Sequence, residues 1–476
     1  MSDGRPVRAH ETSIMKVALT ALAGTSIEWY DFFIYGTAAA LVFPTVFFSE
    51  TLSPIVAQLA SFSTFAVGFV ARPVGGIVFG HFGDRVGRKV ALVTALLMMG
   101  VATTLIGLLP PYALVGAAAP VMLVVLRFVQ GLAIGGQWAG AVLVATENAP
   151  RDKRGFYGAF AQVGVPAGVI LANLVFLVVN ASVSPEAFVA WGWRIPFLLS
   201  IALIAVAIYV QLHLEETAEF RELQELRARR TEELIHQRAQ TLGRSVEHVR
   251  AALAAERRPS PVLEALRMYP KQIALAAGAL MAIQVTFYIF TTFLIAYGTN
   301  PATLNLPRAT MLAAVLISAF LMIPALLISA AFSDRYGRRG IFIAGAILVG
   351  IWGFVLFPLI DSGSFPRIVF ALTVGQIFFS MMYGPQAAFL AELFSTRVRY
   401  SGASLGYQIG AILGGALTPI IATALVARFE TAFAVSVYIA VACAITVGSV
   451  LLLRETYQSN FEEEPIPLPP AAQIRA

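Results

Sequence analysis

Charge is what this chain has least of. Charged residues make up 13% of its 476 positions, against about 25% in an ordinary soluble domain. A chain that is 58% hydrophobic lacks the polar surface to cover a water-soluble fold. Cysteine is nearly absent. Cys443 is the one cysteine and sits in an apolar run, which excludes a disulfide framework and a thiolate metal site. The five histidines, His10, His81, His213, His236 and His248, fall in tails, loops or predicted helix ends, so no histidine is buried at mid-membrane. There is no GxxxxGK[ST] phosphate loop and no HExxH. These absences exclude a P-loop ATP-driven pump and a zinc hydrolase of the HExxH type. The formal charge of +6 does not indicate nucleic acid, because the basic residues form short clusters between apolar runs rather than a basic domain. No cleavable leader is expected either, since the first apolar run is long and carries Glu28 and Asp31.

What the chain has is long apolar runs. A spanning helix needs about 20 mostly apolar residues, and twelve such runs are predicted: 17–43, 55–80, 90–109, 119–146, 155–180, 192–213, 271–297, 309–332, 340–360, 367–391, 400–427 and 432–453. With the N-terminus inside, 27 of the 33 lysines and arginines fall on the inner side, as the positive-inside rule requires. The expectation is an all-α membrane protein of the cell inner membrane with both termini cytoplasmic. Its parts are a cytoplasmic tail (1–16), a six-helix bundle (17–213), a cytoplasmic central loop with helices (214–270), a second bundle (271–454) and a C-terminal tail (455–476). The mixed-charge stretch 215–243 reads as helix, either a solvated linker or a regulatory contact.

The halves repeat. GHFGDRVGRK (80–89) follows the second span and AFSDRYGRR (331–339) follows the eighth, with Asp84 and Asp334 at matching places. Glu147 and Arg154 close the fourth span as Glu392 and Arg399 close the tenth. Two matches at nearly one offset make the second six helices a parallel copy of the first. GDRVGRK and SDRYGRR resemble the paired loop signature of the major facilitator superfamily. EWYDFFIYG (28–36), ARPVGGIVFGHFGDRVGRK (71–89) and RFVQGLAIGGQWAGA (127–141) resemble its metabolite:proton symporter family. WGWRIPF (191–197) and RYSGASLGYQIGAILGG (399–415) extend the likeness over nearly all of the chain except the tails and central loop. The texture is most similar to the shikimate-permease branch, with α-ketoglutarate, citrate and osmolyte carriers as relatives. Where that family often has Glu, this chain has Gln137.

Charged groups inside spans locate the candidate site, since each costs roughly 2.5–3.5 kcal/mol at the bilayer centre. Glu28, Asp31 and Tyr35 follow i, i+3, i+7 and share one face of the first helix, which predicts a wet cavity there with Trp29, Phe32 and Phe33 turned elsewhere. At about 1.5 Å per residue, Arg72 on the second helix lies about 6 Å in depth from Glu28. Glu28 or Asp31 is therefore the expected proton carrier, and Arg72 the expected anion ligand; the competing reading is a permanent salt bridge. Desolvation raises a carboxylate's proton affinity and a nearby arginine lowers it, so an anion arriving at Arg72 would favour protonation. Arg127 either lines the outer pathway or pins a neighbouring helix.

Further cavity candidates are Tyr30, Tyr35, Gln137, Trp138 and Gln162 in the first half, and Gln284, Tyr288, Gln376, Tyr383, Gln386, Tyr407 and Gln408 in the second. Packing is the alternative for each aromatic. A buried amide is costly unless hydrogen-bonded, which strengthens the glutamines. Asp84, Arg85, Arg88, Glu147 and Arg154, with Asp334, Arg335, Arg338, Glu392 and Arg399, are expected to form a gating latch, a role the resemblance implies. The implied function is a secondary transporter, not an enzyme. It would take up a small organic acid with protons, as a monomer in lipid, with the proton gradient as energy source and no bound cofactor, metal or nucleic acid. A zwitterionic osmolyte as cargo, or antiport, is the alternative.

Overall fold

The computed structural model describes residues 5–86, 88–135, 151–213, 232–233, 235–237, 239–241, 243–255, 261–394 and 399–456. All regular structure among them is helical. The principal helices are α1 (Arg5–Leu41), α2 (Pro54–Val86), α3 (Arg88–Leu108), α4 (Ala118–Ile134), α5 (Arg154–Ser182) and α6 (Arg194–His213). In the second half they are α7 (Pro270–Thr299), α8 (Arg308–Tyr336), α9 (Arg338–Asp361), α10 (Phe365–Glu392), α11 (399–429) and α12 (Phe433–Leu452). Eight described helices are long and apolar enough to cross a membrane by length and composition, and Val93–Leu108 and Ala118–Ile134 are shorter apolar helices. Large apolar side chains face outward along them; Ile77, Val121 and Ile351 are more than 60% exposed. Such a surface is at home only in lipid. Between α6 and α7, Val246–Ala255 and Pro261–Met268 are helical. Pro261 opens a helix there, where its missing N–H costs nothing. The stretch 214–231, read as helix from sequence, lies outside the described residues.

The packing has the symmetry that the repeat predicts. In the first half α1 packs on α5, α2 on α4, and α3 on α4 and α6. Six helices later, α7 packs on α11, α8 on α10, and α9 on α10 and α12. The halves meet along two seams, α5 against α8 and α2 against α11, which are equivalent under the same exchange. This is the major facilitator fold of two six-helix bundles. Pro73 inside α2 and Pro324 inside α8 extend the repeat, each interrupting the backbone ladder of a seam helix.

Membrane helices gain little from apolar burial against lipid and are held by close packing. A Cβ on Gly75 would lie 2.0 Å from the Leu132 carbonyl, and one on Gly135 2.0 Å from the Arg72 carbonyl. Glycine therefore sets the α2–α4 distance and so the position of Arg72. Two π-helical turns, Ile289–Phe293 in α7 and Ala411–Ala416 in α11, flank the centre. Such turns recur at functional sites because they rotate the side chains that follow.

Candidate functional site at the seam of the halves

Arg72 is 2% exposed and stands where α2 meets the second half. Its Cζ lies 4.5 Å from the ring centres of both Phe32 and Phe69, and 5.8 Å from Trp29. The guanidinium hydrogen-bonds Tyr288 of α7, while Nε and Nη2 have no hydrogen-bond partner. Glu28, 8% exposed, is near enough to feel the charge of Arg72, with no ion pair within 4 Å between them. Aromatic faces hold the arginine through cation–π attraction and leave two donors unused.

Asp31 goes elsewhere. It is 1% exposed and accepts a short hydrogen bond from Ser200 of α6. Thr103 of α3 also contacts it, and Oδ2 has no partner. Thr103 accepts from Gln130 Nε2 at 2.6 Å, and Gln130 accepts from Arg127 Nη1 at 3.0 Å. Arg127 is fully buried, with Cζ 4.1 Å from the Tyr35 ring centre, 4.6 Å from Phe32 and 5.0 Å from Phe65. It pins α4 against α1 and α2, one of the two roles open to it. Phe32 thus serves both arginines.

The single carboxylate face expected on α1 is corrected here. Tyr35 donates to Thr64 at 2.7 Å and Tyr30 donates to the Pro196 carbonyl at 2.9 Å, both within the first half. It is Trp29 that lines the central cavity, with Val165, Ile283, Gln284, Phe287, Tyr288, Phe379, Tyr383 and Tyr407. The cavity itself is small, about 10 Å³, room for a single water. Gly168 of α5 admits Trp29 there: a Cβ on it would lie 2.6 Å from the Trp29 Cβ. Of the second-half candidates, Gln284, Tyr288, Tyr383 and Tyr407 reach the cavity, and Tyr407 bonds Gln284. Gln162 reaches across the seam to the Tyr383 carbonyl at 3.5 Å. Gln386 is fully buried with neither amide atom partnered, and Gln376 and Gln408 each keep one unpartnered oxygen. Gln137 and Trp138 lie outside the described residues. Thr103, Gln130, Ser200, Phe32, Phe287 and Phe379 were missed from sequence. Only Gln130, an amide one turn beyond Arg127, had left a signal.

At one end of the seam stand the residues expected to form a latch. Asp334 of α8 accepts from the backbone N–H of Gly155 and of Phe156, both at 2.8 Å. A carboxylate of one half thus caps α5 of the other, where the helix dipole favours negative charge. Arg338 bridges Asp334 at 2.7 Å and Glu392 at 3.2 Å. Glu392 also accepts from Thr456 at 2.7 Å and lies near Arg154. Arg399 is buried. Arg335 does not join: it is exposed, with its guanidinium over the Tyr336 ring. Asp84 and Arg85 lie in the last turn of α2 and Arg88 opens α3; their side chains, and Glu147, lie outside the described set.

Two pseudo-symmetric bundles, a buried charged centre and a carboxylate of one half capping a helix of the other are the frame of a membrane transporter. The chain matches the family described as "Sugar (and other) transporter" over residues 16–466 and belongs to it. It is 39% identical over 453 residues to the inner membrane metabolite transport protein YhjE of Escherichia coli (strain K12), covering 94% of this chain and 95% of that one. It is 37% identical over 446 residues to the shikimate transporter of the same organism, covering 93% and 95%. Among solved structures it resembles the major facilitator proton:xylose symporter XylE bound to 6-bromo-6-deoxy-D-glucose, with a TM-score of 0.70 at 17% identity, covering 95% and 98%.

Proposed function

We propose that this transporter takes up a small organic acid together with protons by alternating access. The observation that carries the reading is Arg72: a fully buried guanidinium at the seam, beside Glu28, with two unpartnered donors. A buried charge with free hydrogen-bonding capacity is costly unless a ligand completes it, and a carboxylate matches the guanidinium fork. An anion on Arg72 takes over its field and leaves Glu28 as an uncompensated buried charge, which a proton removes. Release of either cargo then favours release of the other. Asp31, held by Ser200, is the second carboxylate of the pathway. The likeness to a shikimate transporter supports an acid cargo, and that to a proton symporter supports the coupling.

The latch lies on the cytoplasmic side in this reading, as the inner-side excess of lysine and arginine supports. The chain sits in the inner membrane with both termini cytoplasmic. It works as a single polypeptide, with the proton gradient as its energy source and no bound cofactor. Asp334 closes the inner end when the site faces outward, and rocking of the halves breaks its bonds to α5. The test is uptake into proteoliposomes from a panel of shikimate, quinate, dicarboxylates and aromatic acids. Accumulation should follow an outside-acid gradient and collapse with a protonophore; uptake indifferent to both would refute proton symport.

A further inference from the structure

We propose that the central site takes a monocarboxylate carrying a flat, largely apolar ring, and moves it with one proton and no net charge. This rests on the organic-acid symport reading and narrows it. The first argument is charge. Among the described residues the buried centre holds two carboxylates, Glu28 and Asp31, and two guanidiniums, Arg72 and Arg127, which balance when all are ionised. Glu28 is faced by Arg72, Asp31 and Tyr407. One substrate carboxylate on Arg72 and one proton on Glu28 preserve that balance. A dicarboxylate with one proton leaves a buried excess of one negative charge. A zwitterion with one proton leaves a positive one beside two guanidiniums. Uncompensated charge at this depth is strongly disfavoured.

The second argument is the lining. Six of the nine cavity residues are aromatic, and Gln284 is the one amide among them. Its partner is Tyr407, while the Tyr288 hydroxyl is engaged by Arg72. Little hydrogen-bonding capacity is left for a polyol, and each hydroxyl buried without a partner weakens binding by about tenfold or more. The rings stand close. Phe287 and Phe379 have centroids 5.7 Å apart, and Phe379 and Tyr383 stack at 5.2 Å. A flat ring stacked between two others needs roughly 7 Å between them, so α7 and α10 must part by at least about 1 Å to admit one between Phe287 and Phe379. Gln386 falls three residues after Tyr383 and seven after Phe379, on their face of α10. Its unpartnered amide suits a single polar ring substituent.

The test uses the full chain in lipid nanodiscs, with calorimetry on 4-hydroxybenzoate, succinate, shikimate and glycine betaine. Repeating the titrations in buffers of different ionisation enthalpy gives the protons taken up per ligand. Expected are binding of 4-hydroxybenzoate at least tenfold tighter than the other three, uptake of about one proton, and a loss of about tenfold in Gln386→Leu. Succinate, shikimate or betaine binding as tightly overturns the ring assignment. If such binding still takes up a proton, coupled transport stands without it. Ring-acid binding with no proton taken up overturns the coupling itself, and binding of none of the four overturns both.

Discussion

Asp334 makes the sharpest test of how the halves are held together. Its bond to Arg338 lies within the second half and survives when the halves part. Its bonds to Gly155 and Phe156 cross the seam and do not. Only the latter bias the conformational equilibrium. In Asp334→Asn one acceptor oxygen remains, without charge, and an NH2 group meets the second N–H. A hydrogen bond to a charged group contributes about 1.5–3 kcal/mol and the helix dipole up to about 1–2 kcal/mol more. Allowing for the bond that survives, closure loses about 3 kcal/mol, or ~150-fold in the closed-to-open ratio. Ala159 lies one helical turn beyond Gly155 and is fully buried, so Ala159→Cys reports opening. Placed in a Cys443→Ser background, its alkylation by a maleimide should accelerate by about two orders of magnitude in the Asp334→Asn protein. Gly155→Ala keeps the charge but puts a methyl 2.6 Å from Arg338 Nη1 and 2.8 Å from Asp334 Oδ1; it should act in the same direction. Arg335→Gln should leave the rate unchanged, since Arg335 faces out. Equal rates in Asp334→Asn and the parent would refute the cross-half cap as a gate.

Four further outcomes are expected. Arg72→Lys should weaken substrate binding by tenfold or more with the thermal unfolding midpoint nearly unchanged, because lysine lacks the planar fork; unaltered affinity would make Arg72 a purely structural cation. Glu28→Gln should retain substrate exchange across the membrane but lose uphill accumulation, measured in proteoliposomes with and without a pH gradient. Asp31→Asn, whose carboxylate is held by Ser200 rather than Arg72, should affect substrate affinity less than Glu28→Gln does. Gly75→Ala should lower stability in detergent by about 1–3 kcal/mol, the usual cost of overpacking, because its methyl has no room against the Leu132 carbonyl; an unshifted midpoint would show that α2 and α4 can part freely.

The helices were legible because a spanning segment must be long, apolar and internally hydrogen-bonded, and those demands leave a one-dimensional trace. The halves were legible because both copies kept their loop signatures. Even the approach of Glu28 to Arg72 followed from depth, since rise per residue is fixed along a helix. Rotation about the helix axis was not legible. Glu28, Asp31 and Tyr35 do share a face by spacing, yet neighbouring helices divide them: Arg72 is beside the first, Ser200 and Thr103 hold the second, and Thr64 takes the third. Trp29 reaches the cavity because Gly168 lets α5 come close, a choice made by packing between distant segments. The partner of Asp334 was invisible for another reason. It is a pair of backbone N–H groups, which every residue but proline carries, and only the meeting of two helix ends singles them out. Sequence by itself thus determined membrane, halves and which charges the spans carry; tertiary structure decided which of those charges meet, because that depends on helix rotation and close packing that no local pattern encodes.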